Sequence, residues 1–270
     1  MTMNVLMISP GFPSEMQHFT RGLARMGATV VGLGDQPQEN LPVPAREALS
    51  AYIHVASFQD EAAIVERVAD FARRVPLQRV ECLWEPYVIL AARIRERLGL
   101  PGPTVEQTLP FRDKEVMKRV LDEAGIRTPH HYSATRAAEV VEYAETIGYP
   151  VIVKPIAGAG SEHTYKVGSR QELDSVLPAL RGVPVVSVEE FVEGEDMTFD
   201  TLCVDGRIVH YSIATYIPRA LFMKENEWVS PITLVFRDPD SPDLAAGKAM
   251  GFDVIRALGF QTGYTHMEWY

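Results

Sequence analysis

Cysteine is scarce in this chain: 270 residues carry only Cys82 and Cys203. They stand far apart inside apolar runs. That excludes a disulfide framework and the paired spacing of a zinc site, and it reads both as buried thiols. Positive charge is also in short supply. Lys and Arg number 26 against 36 Asp and Glu, a net charge of −10, which argues against nucleic acid or an anionic membrane surface as a partner. No apolar run is long enough to span a bilayer. The opening segment Met3-Asn4-Val5-Leu6-Met7-Ile8-Ser9 lacks the basic region of a signal peptide and reads as a first strand, so the expected compartment is the cytoplasm. There is no internal repeat, no low-complexity segment and no Gly-x-Ser-x-Gly nucleophile motif. What is present is ordinary for a soluble protein: 46% hydrophobic and 23% charged residues suffice for a sizeable core. The length suits two domains or one large α/β domain.

The first hundred residues alternate between strand and helix patterns. Strands are expected at 5–9, 29–33 and 80–84, and helices at 15–26, 60–75 and 87–98, with Gly27 and Gly99 as stops. On the 60–75 helix, Ile64, Val68, Phe71, Ala72 and Val75 share one face. This rhythm predicts a parallel sheet with helices on its faces, whose ligands lie beyond the carboxyl ends of the strands. By that rule Glu85, just after the 80–84 strand, faces a substrate or serves as a helix N-terminal charge ahead of Pro86. Pro101-Gly102-Pro103 marks a linker. Beyond it come a charged helix around Lys114, a helix capped by Thr135, a strand ending at Lys154 and a return strand at 165–167. Ser169-Arg170-Gln171-Glu172 is a capping box, followed by a strand at 185–191. A hairpin of 197–204 and 207–216 turns at Asp205-Gly206; a helix at 244–258 and a strand at 263–270 complete the chain. That last strand runs to Tyr270, which suggests a sequence incomplete at its C-terminal end.

The most informative feature is the apolar run Val151-Ile152-Val153-Lys154-Pro155, followed by Gly158-Ala159-Gly160-Ser161. A strand delivers a cation and opens into a loop of little bulk, where backbone N–H groups can close on phosphate oxygens. The Gly-Lys-Ser/Thr of a Walker A loop is missing. An ordinary hairpin turn fits the same residues. Three further features stand in order around it: Lys114, the acidic stretch Glu189-Glu190-Phe191-Val192-Glu193-Gly194-Glu195-Asp196, and Thr265-His266-Met267-Glu268-Trp269. Singly, these read as a solvated helix lysine, a water-facing strand end and a structural hydrogen-bonding histidine.

Together and in this order they resemble the ATP-grasp superfamily over about residues 105–270, and residues 1–104 resemble the Rossmann-like domain that precedes such modules. The resemblance implies an α/β fold: a parallel-sheet pre-ATP-grasp domain at 1–104, then an ATP-grasp domain of two α+β subdomains at 105–270. It implies that Lys114 and Lys154 neutralise ATP phosphates, with Lys154 the catalytic cation, and that Gly158, Gly160 and Ser161 form a lid. Glu189 would accept from the adenine amino group, the backbone of Glu190 and Val192 would pair with the adenine edge, and Asp196 would take ribose hydroxyls. Glu268 would hold Mg2+, with Mn2+ as a substitute, and a second acid would follow Tyr270. Glu85 would meet the substrate. Read from their residue type alone, Arg219, Lys224 and Arg237 are candidates for holding a carboxylate, while a solvated surface loop accounts for at least two of them. The implied activity joins a carboxylate, an amino acid by preference, to an amine through an acyl phosphate, releasing ADP and phosphate. The partners are then small molecules, and a homodimer is compatible. The alternatives are a bicarbonate-using carboxylase-type enzyme and a non-catalytic ATP-binding regulatory module.

Overall fold

The computed structural model describes residues 3–156, 164–219, 222–223, 226, 228–230 and 232–270. The chain divides into two compact units, Met1–Met117 and Lys118–Tyr270.

In the first unit, β1 (Asn4–Ile8), β2 (Thr29–Gly34), β3 (Leu49–His54) and β4 (Arg79–Glu81) form a parallel sheet of order β3-β2-β1-β4. Four helices accompany it: α1 (Met16–Arg25), α2 (Val43–Ala48), α3 (Glu61–Ala72) and α4 (Val88–Leu98). Successive side chains of a strand point to opposite faces, and a parallel sheet needs both faces covered. Leu6, Ile8, Val31 and Leu33 therefore pack with Ile64 and Val68 of α3 and Leu90 and Ile94 of α4. Met7 and Val30, on the other face, pack with Met16 of α1. Asp60 accepts from the Ala63 N–H at the start of α3, and Gly99, with φ 64°, closes α4 in the left-handed conformation. The strand order reverses between β1 and β4, so the crevice beyond their carboxyl ends is the expected ligand position of this sheet.

In this sheet and its helices, β3 and α2 escape the sequence reading. β3 alternates only weakly, with Ile53 its single buried residue, and α2 is a six-residue helix, too short for a periodic signal. One expectation is also corrected: Cys203 is buried, but Cys82 is only partly so, because it follows the short β4 at the sheet margin; both thiols are free.

α5 (Val105–Thr108) and α6 (Lys114–Glu123) follow, and α6 contains the boundary between the units. The second unit holds two antiparallel sheets. One comprises β5 (His131–Ala134), β6 (Val151–Pro155), β7 (Tyr165–Val167) and β8 (Val186–Glu190) in the order β5-β8-β6-β7, with α7 (Ala137–Ile147) and α8 (Arg170–Val176). Its core joins Val151, Val153, Val167 and Val188 to Val140 and Ala144 of α7 and Leu173 of α8. Thr135 does not cap α7 as expected. Arg136 takes that position, and the Thr135 N–H and hydroxyl both donate to Glu139.

The other sheet comprises β9 (Met197–Val204), β10 (Arg207–Ile217), β11 (Ile232–Val235) and β12 (Gly263–Trp269), ordered β11-β10-β9-β12, with α9 (Ala245–Ala257). The β9–β10 hairpin turns at Asp205 and Gly206, both at positive φ, as a two-residue turn of the favoured hand requires. Phe199 and Ile213 are fully buried in this sheet, each side chain of that size contributing about 1.5–3 kcal/mol. Gly251 of α9 lets the Phe199 ring approach; a Cβ there would lie 2.5 Å from it. Among the described residues no helix is long and apolar enough to cross a membrane.

Candidate functional site

The short β6 brings Lys154 beside β8. Val151 and Val153 are buried, and Lys154 lies directly opposite Ser187 in the antiparallel register. Glu189, two residues further along β8, shares the Ser187 face, and diagonal neighbours across such a pair are within reach of long side chains. The Lys154 Nζ donates to Glu189 Oε2 at 2.7 Å. The other oxygen, Oε1, accepts from Lys118 Nζ at 2.7 Å and from Ser187 Oγ at 2.9 Å. The Glu189 carboxylate thus sits between two ammonium groups, nearly out of water. Burial alone raises its pKa, but the charges and hydrogen bonds of Lys154 and Lys118 outweigh burial and hold it down to about 2.

Lys118 is the residue that sequence reasoning passed over. It stands on α6 one turn after Lys114 and is buried together with Leu121 on the same helix face. A lysine on a buried helix face needs a carboxylate partner, and that was the available signal. Lys114 is exposed and belongs to the first unit.

The hinge after β8 is held by side chains. Arg127 Nη2 donates to both oxygens of Glu190, at 2.6 and 2.9 Å, and the His130 N–H donates to Oε2 at 3.1 Å. The His130 N–H and then Arg127 lower the Glu190 pKa. The Glu190 N–H donates to the His130 carbonyl at 2.8 Å. The Val192 N–H, just past β8, donates to no backbone carbonyl of a described residue. Phe191, between Glu190 and Val192, carries Lys166 Nζ 3.7 Å from its ring centroid. Asp196 directly precedes β9, and its carbonyl accepts from Thr215 Oγ1 at 3.0 Å.

On β12, His266 faces Asp200 of β9. Its Nδ1 lies 2.6 Å from Asp200 Oδ1, and its Nε2 lies 3.8 Å from Glu268 Oε1. The hydrogen bond to Asp200, then Glu268, raises the His266 pKa to about 10. Asp200 also accepts from Thr198 Oγ1 at 2.8 Å. Glu268 offers the hard oxygen donors that Mg2+ prefers, and its side chain is 65% exposed. Among the described residues no group of three His, Cys, Asp or Glu could hold a metal ion. A lone carboxylate of this kind could hold Mg2+ only with further ligands from elsewhere.

Glu85 lies in the first unit, after β4, where its Oε1 accepts from Arg112 Nη1 at 3.3 Å. The adjoining Trp84 makes edge contacts with Phe12 and Tyr87, at centroid distances of 4.7 and 4.8 Å. Gly158, Gly160, Ser161 and Lys224 lie outside the described residues.

Comparison with known proteins bears on the family and the fold. Residues 23–102 match the model of the ATP-grasp N-terminal domain, and residues 111–220 match that of the ATP-grasp domain. The chain is 26% identical over 148 residues to the L-arginine-specific L-amino acid ligase of Bacillus subtilis, an alignment covering 52% of this chain and 36% of that protein. It is 33% identical over 99 residues to a D-alanine–D-alanine ligase of Clostridium perfringens, covering 36% of this chain and 32% of that protein. It thus spans about a third of the length of these curated relatives. The crystal structure of an L-amino acid ligase from Bacillus licheniformis shares the fold, with a TM-score of 0.79 at 23% identity over 99% of this chain and 63% of that one. With an ATP-grasp N-terminal domain followed directly by an ATP-grasp domain, the chain belongs to the ATP-grasp superfamily.

Proposed function

We propose that this protein is an ATP-dependent carboxylate–amine ligase that activates an amino acid as an acyl phosphate. The observation that carries the reading is the Lys118–Glu189–Lys154 centre, with Lys154 at the end of the strand that leads into the glycine-bearing stretch. In this reading Lys154 turns to the ATP phosphates, Glu189 accepts from the adenine amino group, and Asp196 accepts from ribose. Glu268 would hold Mg2+, which neutralises phosphate charge when bound.

A substrate carboxylate oxygen attacks the γ-phosphorus as the bond to the β,γ-bridging oxygen breaks, and ADP leaves. The amine nitrogen then attacks the acyl carbon, loses a proton and expels phosphate. Negative charge grows on the transferred group and on the leaving oxygen, so a fixed cation such as Lys154 is worth most there, in a site that excludes water. No protein nucleophile is needed. The names of the two curated relatives support an amino acid as the carboxylate.

The test is ADP and phosphate release by the purified protein with Mg-ATP, against pooled amino acids and, separately, bicarbonate. Release that depends on amino acids is expected. Release with bicarbonate alone would support the carboxylase-type reading instead, and ATP binding without release on any pool would support a regulatory module.

A further inference from the structure

We propose that Lys118 and Ser187 are positioning residues that clamp one oxygen of Glu189, so that capture of phosphate by Lys154 releases the other oxygen to read a 6-amino group on the base. The inference rests on the reading of this centre as an ATP site and adds a coupling between its two halves.

The two carboxylate oxygens are not equivalent. Oε1 accepts from both Lys118 and Ser187, whereas among the described residues Oε2 accepts from Lys154 alone. The two lysines differ as well. The Lys118 side chain is 6% exposed and that of Lys154 is 24% exposed, so Lys154 has a route out and Lys118 does not. If Lys154 swings to a phosphate, Glu189 keeps a counter-ion, its charge and its orientation. Without Lys118 the same movement would strand a buried carboxylate, which is strongly unfavourable.

The freed Oε2 is a charged acceptor with no donor. An adenine N–H meets it, while a 6-oxo purine presents an oxygen and repels it. A nucleoside without phosphates gives Lys154 no reason to leave Oε2, so base reading and phosphate binding are coupled through one carboxylate.

The experiment is calorimetric titration of ATP, inosine triphosphate and adenosine into the wild type, Lys118→Met, Lys118→Arg and Ser187→Ala, with folding checked by circular dichroism. The two triphosphates differ at the 6-position, amino against oxo, and at N1, an acceptor in adenine and an N–H in the 6-oxo base; the N1 difference does not involve Glu189 and is shared by all the variants. The wild type is expected to prefer ATP by roughly 10- to 100-fold, the range of a hydrogen bond to a charged group, and to bind adenosine far more weakly. In Lys118→Met, Lys154 is the cation left to Glu189 among the described residues, and the preference is expected to fall by about tenfold. Lys118→Arg should restore most of it, and Ser187→Ala should lie between.

A folded Lys118→Met protein that keeps the wild-type ratio, whether ATP affinity is retained or both triphosphates weaken equally, overturns the clamp and leaves the ATP site standing. A wild type that binds no ATP overturns the site reading itself. Should Lys118→Met not fold, an unchanged ratio in Ser187→Ala refutes the clamp.

Discussion

Replacing Glu189 with glutamine keeps the shape of the side chain and removes its charge, so it measures what Lys118 and Lys154 depend on. The folded protein holds this carboxyl at about 2, against an ordinary value of 4.5. At about 1.4 kcal/mol per unit, that difference corresponds to about 3 kcal/mol of stability at neutral pH. In the variant, Lys154 can turn to water, but Lys118, 6% exposed, stays buried beside a neutral amide. Breaking a buried pair in this way costs about 3–5 kcal/mol. The sign follows from a depressed folded pKa. The contribution is fully present above about pH 4.5 and is lost as pH falls toward about 2. Urea unfolding of wild type and Glu189→Gln should therefore show a constant gap between about pH 5 and 8 that narrows below about 4.5. Adding Lys118→Met to Glu189→Gln should recover part of the loss, because the stranded charge goes with it. A gap under about 0.5 kcal/mol at neutral pH, or one unchanged down to about pH 3, would refute the reasoning.

Other residues give independent checks. Lys154→Ala is expected to abolish ATP binding by calorimetry while leaving the circular dichroism spectrum intact; unchanged affinity would remove Lys154 from the site. Gly251→Ala should destabilise the protein by about 1–2 kcal/mol in thermal unfolding, since overpacking against the buried Phe199 ring exceeds the helix-propensity gain. His266, raised to about 10 by Asp200 and Glu268, should still carry its proton near pH 8 by NMR, and Asp200→Asn should bring its titration back toward 6.5. A raised folded pKa means that this pair supports the fold fully below about pH 6.5 and loses that support as pH rises through about 10.

Much of the architecture is written in local patterns. The run ending at Lys154, the Asp205-Gly206 hairpin, the Ser169 cap and the Gly99 stop each depend on residues a few positions apart, whose backbone preferences and face periodicity act without the rest of the chain. The order of Lys154, the Glu189–Asp196 stretch and Glu268 was legible for the same reason. β3, β5 and β11 were not. β3 and β5 each bury a single residue and all four residues of β11 are exposed, so their strand character comes from the ladder of a neighbour rather than from an apolar period. The clearest case is Lys118. Its sequence shows only a lysine among charged helix residues, and its carboxylate lies 71 positions away. Whether a charge is buried depends on the partner that chain folding brings to it, and local periodicity carries no record of a contact at that separation. The amino-acid order by itself marked most of the elements and the order of the charged residues along them. Only the tertiary structure decided which lysines meet at Glu189, because a buried ion pair is stable only where all its members converge.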